Sequence, residues 1–157
     1  MANYIFTQIS SEEIPYPLLL LADETVEAID KYIFSSEIYV LKDHQKEIAV
    51  MALYKNSAQQ LEIKNIAVIP SFRNQGIGKI LINKAKEIAV KDHFASLIVG
   101  TSDTGYDQIR FYEKNGFIKK EIRKDFFIKN YPVPIYENGM QMRDMIILEY
   151  LLHNLSE

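Results

Sequence analysis

The chain of 157 residues contains no cysteine. That excludes disulfides, thiolate nucleophiles and cysteine-based zinc sites. It is compatible with a reducing, cytoplasmic setting. Histidine is scarce as well. His44 falls in a turn, His93 at a helix end and His153 near the C-terminus. Their spacing suggests no metal, and none is expected. No apolar run approaches the ~20 residues a membrane-spanning helix needs, and the opening segment MANYIFTQISSEEIPYP lacks the basic and apolar regions expected of a secretory signal. Neither sign of charge dominates: 18 Lys and Arg stand against 21 Asp and Glu, a formal net charge of −3. The expected partners therefore include neither nucleic acid nor membrane. Length and composition suit one domain spanning residues 1–157.

What the chain does contain is an ordered series of short apolar segments. Strands are expected at Tyr4–Ile9, Glu37–Leu41, Ile48–Tyr54 and Leu61–Ile69, then at Ser96–Val99, Phe117–Ile122 and Met145–Leu152. A helical stripe of Val26, Ile29 and Ile33 follows Asp23, which is placed to cap it. Residues Asp107–Lys114 read as a helix stopped by Asn115-Gly116. Residues Gly100–Gly105 read as a loop, and Asp125–Met140 as a long connection. An antiparallel meander followed by alternating helix and strand predicts an α/β (mixed α+β) fold. Its centre is a mostly antiparallel sheet of about 6–7 strands with helices on both faces.

The most informative stretch is residues 61–90, LEIKNIAVIPSFRNQGIGKILINKAKEIAV. A branched, apolar strand is stopped by Pro70, because proline cannot donate to a sheet ladder. The segment Arg73-Asn74-Gln75-Gly76-Ile77-Gly78-Lys79 follows, and then a helix with Ile77, Ile80, Leu81, Ile88 and Ala89 on one face. The first turn of a helix has unpaired N–H groups at the positive end of its dipole. Two glycines allow a ligand close to that backbone, and Arg73 and Lys79 add positive charge. The arrangement reads as a cradle for phosphate or pyrophosphate. It is not a dinucleotide fingerprint, since Leu81 stands where the third glycine belongs, and no P-loop sequence is present.

The pattern Arg73-x-x-Gly76-x-Gly78 after a strand ending in Ile66-Ala67-Val68 resembles the pyrophosphate motif of the GNAT superfamily of N-acetyltransferases. A second segment, Gln108-Ile109-Arg110-Phe111-Tyr112-Glu113-Lys114-Asn115-Gly116-Phe117, is similar to the family's tyrosine-bearing helix that ends at Gly-Phe. Together the two cover most of Ile48–Phe117. The resemblance implies acetyl-CoA as donor and direct transfer to an amine in a ternary complex. It also implies a central strand pair that splays to admit the coenzyme. Residues Arg73, Asn74, Gln75, Gly76, Ile77, Gly78 and Lys79 would bind pyrophosphate. Backbone amides of Ile66, Ala67 and Val68 would hold the acetyl carbonyl and the pantetheine arm. One departure is visible: where many members carry a pantetheine-binding Asn, seven residues before the tyrosine, this chain has Gly105. Gln108, Ser102 or Thr104 are the candidate replacements.

The same resemblance makes Tyr112 the acid that protonates the departing thiolate, a transfer from a phenol of pKa ~10 to a thiolate of pKa ~8.5. It makes Glu62 a base on the central strand, with an ion pair to Lys64 as the structural alternative. A base matters, because an alkyl amine of pKa ~10.4 is almost wholly protonated at neutral pH and its activation costs about 4–5 kcal/mol. Phe34, Tyr39, Phe126, Tyr131 and Tyr136 are expected to line the acceptor site. The acceptor itself, a small molecule or a peptide, is open, and a homodimer is compatible with the sequence. The alternatives are a non-catalytic acyl-CoA-binding or regulatory module on the same fold, another nucleotide binder, or a nucleic-acid module using Lys119, Lys120, Arg123 and Lys124. Glu121 and Asp125 interrupt that last run.

Overall fold

A computed structural model describes residues 3–152; His153 lies outside them. Seven strands form one sheet: β1 (Tyr4–Ile9), β2 (Glu37–Asp43), β3 (Lys46–Lys55), β4 (Gln60–Val68), β5 (Ser96–Ser102), β6 (Ile118–Arg123) and β9 (Met145–Leu151). Between the last two in chain order, β7 (Tyr136–Glu137) and β8 (Met140–Gln141) make a small separate hairpin. The helices are α1 (Tyr16–Leu19), α2 (Val26–Asp30), α3 (Ile77–Lys91), α4 (Tyr106–Lys114) and α5 (Phe126–Asn130). The sheet order is β1-β2-β3-β4-β5-β9-β6. The expected mixed sheet is present, and only the β4–β5 pair is parallel.

Alternation along the strands builds two cores. On β2, Tyr39 and Leu41 point to the face covered by α3 and α4, whereas Ile38 and Val40 point to the face covered by α1 and α2. Helix α3 buries Ile77, Leu81, Ile82, Ala85 and Ala89. Each fully buried Leu or Ile contributes about 1.5–3 kcal/mol, so this stripe fixes the helix across the sheet and aims its N-terminus at the end of β4.

Two irregularities shape β4. Its register with β3 shifts between Ala52 and Leu53, which leaves Lys64 as an extra residue. Ile63 and Ile66 consequently both pack on the α3 side, which strict alternation would forbid. The ladder to β5 runs only from Gln60–Ser96 to Ile63–Val99, although both strands continue. From Lys64 onward β4 has lost its neighbour on that side. The expected splay is thus visible in the register.

Three local readings are corrected. Thr25, not Asp23, caps α2, its hydroxyl accepting the Ala28 N–H at 3.0 Å. The segment Gly100–Ser102 belongs to β5, because it pairs with Met145–Ile147 of β9. The connection after Arg123 contains α5 and the β7–β8 hairpin, whose short elements carry too little periodicity to register in the sequence. No helix among the described residues is long and apolar enough to cross a membrane.

Candidate active site

The segment joining β4 to α3 presents backbone rather than side chains. After β4, Pro70–Phe72 forms one 3₁₀ turn, and the chain enters α3 through Asn74 at φ +62° and Gly76 at φ +81°. Asn tolerates this left-handed conformation, and Gly adopts it freely. Arg73 holds the turn in place, its Nε donating to the Val68 carbonyl at 3.0 Å. Gln75 turns back onto the Ser71 carbonyl at 3.3 Å. No side chain caps α3. Among the described residues, the N–H groups of Asn74, Gln75, Gly76, Ile77, Gly78 and Lys79 meet no protein acceptor. Six adjacent donors at a helix N-terminus, with the exposed cations Arg73 and Lys79 beside them, form a strong anion site. A Cβ on Gly76 would meet nothing within 4 Å, so that side of the loop is open.

Helix α4 closes onto this loop. The Phe111 ring sits 3.1 Å from where a Cβ of Gly78 would be. Gly78 is therefore the residue that lets the two motif-bearing helices approach. Gly116, at φ +93°, ends α4, and the Phe117 N–H returns to the Tyr112 carbonyl at 3.0 Å. Tyr112 is 5% exposed and lies edge-on to both Phe111 and Phe117. Burial pushes its phenol above the ordinary range. That keeps the proton on the oxygen at neutral pH and makes the group a weaker acid than a free phenol. A thiolate formed in the same apolar surroundings is destabilised too, so the difference between the two groups governs the transfer.

The departure at Gly105 has a steric reason. A Cβ there would lie 2.9 Å from Thr101 Oγ1, 3.0 Å from Gln108 Oε1 and 3.3 Å from the Ser102 carbonyl. Gln108 folds over the glycine. Ser102 and Thr104 are otherwise engaged: their hydroxyl oxygens lie 2.6 Å apart and 3.1 and 2.9 Å from Glu137 Oε1, so their two protons are shared among these three oxygens. Glu137 on β7 thereby anchors the loop before α4. Of the three candidate replacements, only Gln108 is exposed.

On the other side of the β4–β5 gap is a cleft of about 170 Å³. It is lined by Glu62, Ile63 and Lys64 of β4, by Gly100 and Met145 of β5 and β9, and by residues of α2, α5 and the segments beside them. Glu62 is 4% exposed. Its carboxylate accepts from Asn56 Nδ2 at 2.9 Å and lies 3.5 Å from Lys64 Nζ. The structural ion pair with Lys64 therefore exists, and the same carboxylate lines the cleft. Tyr112 is not among the lining residues. Of the five aromatics expected at the acceptor site, Phe126 and Tyr131 line this cleft, whereas Phe34, Tyr39 and Tyr136 do not. Phe34 is 60% and Tyr136 66% exposed, and Tyr39 stacks on Phe6 in the core.

The cleft's organiser, Asp23, carries no motif that marks it in the chain. Asp23 accepts from the Glu24 N–H at 2.7 Å, from the Tyr32 hydroxyl at 3.0 Å and from the Tyr131 hydroxyl at 2.8 Å. Tyr32 in turn accepts from Asn65 Nδ2 at 3.0 Å. Burial, reinforced by Asp23, raises the Tyr131 phenol; burial and Asp23 likewise raise Tyr32, partly offset by Asn65. One carboxylate thus ties α5 to the N-terminal segment, across 108 positions of sequence. No local signal marks such a hub.

Residues 34–119 match the acetyltransferase (GNAT) domain. The chain is 38% identical over 133 residues to the uncharacterised N-acetyltransferase YvbK of Bacillus subtilis, covering 85% of this chain and 86% of that one. A GNAT family acetyltransferase from Elizabethkingia anophelis, solved with acetyl-CoA bound, superposes with a TM-score of 0.92 at 41% identity over 96% of this chain and 99% of the other. A Bacillus subtilis acetyltransferase in complex with CoA gives 0.86 at 35%, over 98% and 100%. With an anion cradle, a splayed strand pair and a tyrosine helix seated against the cradle, the chain belongs to the GNAT family of acetyl-CoA-dependent N-acetyltransferases.

Proposed function

We propose that the protein transfers the acetyl group of acetyl-CoA to a primary amine by direct attack, with both substrates bound at once. The observation that carries this reading is the run of six unpartnered N–H groups from Asn74 to Lys79, set beside a β4 edge that has no strand partner. Pyrophosphate suits the first, and the amides of a pantetheine arm suit the second. Acetyl-CoA in the Elizabethkingia relative and CoA in the Bacillus one support the assignment.

In this reading Arg73 to Lys79 hold the pyrophosphate. The β4 backbone at Ile66, Ala67 and Val68 orients the arm and the acetyl carbonyl, and Gln108 stands in for the missing Asn. An N–H aimed at the oxygen that gains charge during attack is worth about 3 kcal/mol in comparable sites. Glu62 takes the proton from the amine, directly or through water. The amine nitrogen bonds to the acetyl carbon, the carbon–sulfur bond breaks, and Tyr112 returns a proton to the sulfur. The absence of cysteine leaves no acyl-thioester on the protein, which favours direct attack.

Calorimetry with acetyl-CoA, beside NAD and ATP, tests the donor assignment, and thiol release across an amine panel tests the chemistry. Selective acetyl-CoA binding with amine-dependent thiol release is expected. Binding without release would reduce the protein to an acyl-CoA-binding module, and no binding would remove the cradle from the account.

A further inference from the structure

The charges of the cleft are not balanced. Asp23 and Glu62 face Lys31, Lys64 and Arg123 across the same space. Both carboxylates are already committed. Asp23 accepts three hydrogen bonds from the protein, and Glu62 is held by Asn56 and Lys64. Lys64 is the partner of Glu62, but the other two cations are not so committed. Lys31 is exposed at the C-terminal end of α2 and has no ion-pair or hydrogen-bond partner for its ammonium among the described residues. Arg123 reaches only Glu121, at 3.9 Å, across the exposed surface of β6. A pair of that kind contributes little. Two positive groups therefore border a cleft whose own carboxylates cannot neutralise them. A plain amine entering it would meet repulsion from both.

From this we propose that the acceptor is a small amine that also carries a carboxylate, an amino acid or a close relative of one. The inference rests on the acetyl-transfer reading above and specifies its acceptor. The amine nitrogen lies toward Glu62 on the floor, and the carboxylate lies toward Lys31 and Arg123 at the rim. The arginine fork and the lysine point charge both suit a carboxylate. The size agrees, because about 170 Å³ is below the ~300 Å³ at which pockets for drug-sized ligands begin. Phe126, Tyr131 and Met145 leave apolar wall for a side chain. The same cations also favour the neutral, nucleophilic form of the amine, since neighbouring positive charge opposes its protonation.

The test uses matched trios on the full-length protein: phenylalanine, phenylalaninamide and phenethylamine, with the leucine and histidine trios beside them. Thiol release is followed with saturating acetyl-CoA. The amino acid should have the lowest KM of each productive trio, by roughly 10-fold against its amide, which matches it in size but lacks the charge. Lys31→Ala and Arg123→Ala should each raise the amino-acid KM by about 5- to 10-fold more than they raise that of the amide or the amine. Lys31→Glu should shift the preference toward the amine. Both positions are at the surface, and thermal melting confirms folding. A lower KM for the amine or the amide would overturn the proposal. So would equal effects of the variants on all three members, or acetyl-CoA binding with no turnover of any trio. Failure to bind acetyl-CoA in calorimetry would instead defeat the underlying reading.

Discussion

The two sides of the β4–β5 gap are built from different materials. The proposed donor side presents main-chain N–H groups fixed by two left-handed residues and the start of a 15-residue helix. Its side chains work mainly as struts, Arg73 on Val68 and Gln75 on Ser71. The proposed acceptor side presents side chains held by other side chains, with Asp23 gripping two tyrosines from distant segments. A backbone site changes little when its residues are substituted, provided the dihedral angles survive. A side-chain site changes its chemistry with each substitution. The difference suits a family that keeps one donor and varies its acceptors.

The contrast is sharpest at Gly76. Asp tolerates the left-handed conformation and is a good N-cap, and nothing lies within 4 Å of a Cβ there. Gly76→Asp should therefore fold normally yet lose acetyl-CoA binding by roughly 1000-fold or more, as a carboxylate placed against the phosphates repels them and occupies the helix N–H groups they need. Unchanged affinity by calorimetry would show that the loop is structural. On the chemical step, Glu62→Gln should lower kcat by about 100-fold and Tyr112→Phe by about 10- to 100-fold, with coenzyme affinity little changed in either. Full activity in steady-state kinetics would remove the residue concerned from the mechanism. Gly105→Asn, which restores the common family residue, should destabilise by about 1–3 kcal/mol without tightening coenzyme binding. The Ser102 carbonyl, being backbone, cannot easily yield. A tighter complex in calorimetry would contradict the steric account.

The smallest effect concerns pH. The phenols of Tyr32, Tyr39, Tyr112 and Tyr131 are all raised, in each case chiefly by burial. A phenol that keeps its proton in the folded state above the unfolded value of ~10 lends stability that is intact below pH ~10 and lost as pH rises beyond it. Thermal melting should show a flat midpoint to about pH 9 and a decline past pH ~10. Tyr131→Phe should reduce the slope of that decline.

The unequal legibility of the two sides follows from the same contrast. Gly76, Gly78 and the Ile77–Lys91 helix stand together in the chain, so their spacing carries the geometry. Tyr112 and Gly116 likewise share one short segment. The cleft is assembled from residues as far apart as Asp23 and Met145, and no periodicity links them. Asp23 offered a plausible local role as a cap, which Thr25 fills instead. Arg123 appeared within a charge run interrupted by acids, and its place at the cleft depends on the pairing of β6 with β9. Phe34 and Tyr136 lie in the segments expected to flank the acceptor, but chain position and aromatic character do not distinguish a wall from a surface. Glu62 was legible because a carboxylate inside an apolar strand demands a partner, and the partner proved to be both Asn56 and Lys64.

The parallel seam of four residue pairs leaves β4 from Lys64 to Val68 as a free edge in the middle of the sheet. An extended ligand that carries amides of its own fills such a place much as an added strand would. Under the proposed assignment, the coenzyme would act as a splice between the β1–β4 half and the β5–β9–β6 half. Whatever binds only the folded state stabilises it, by about 2.7 kcal/mol at a concentration 100 times Kd. For a protein whose sheet is nearly divided, that placement would tie the folded lifetime to the supply of the molecule it consumes.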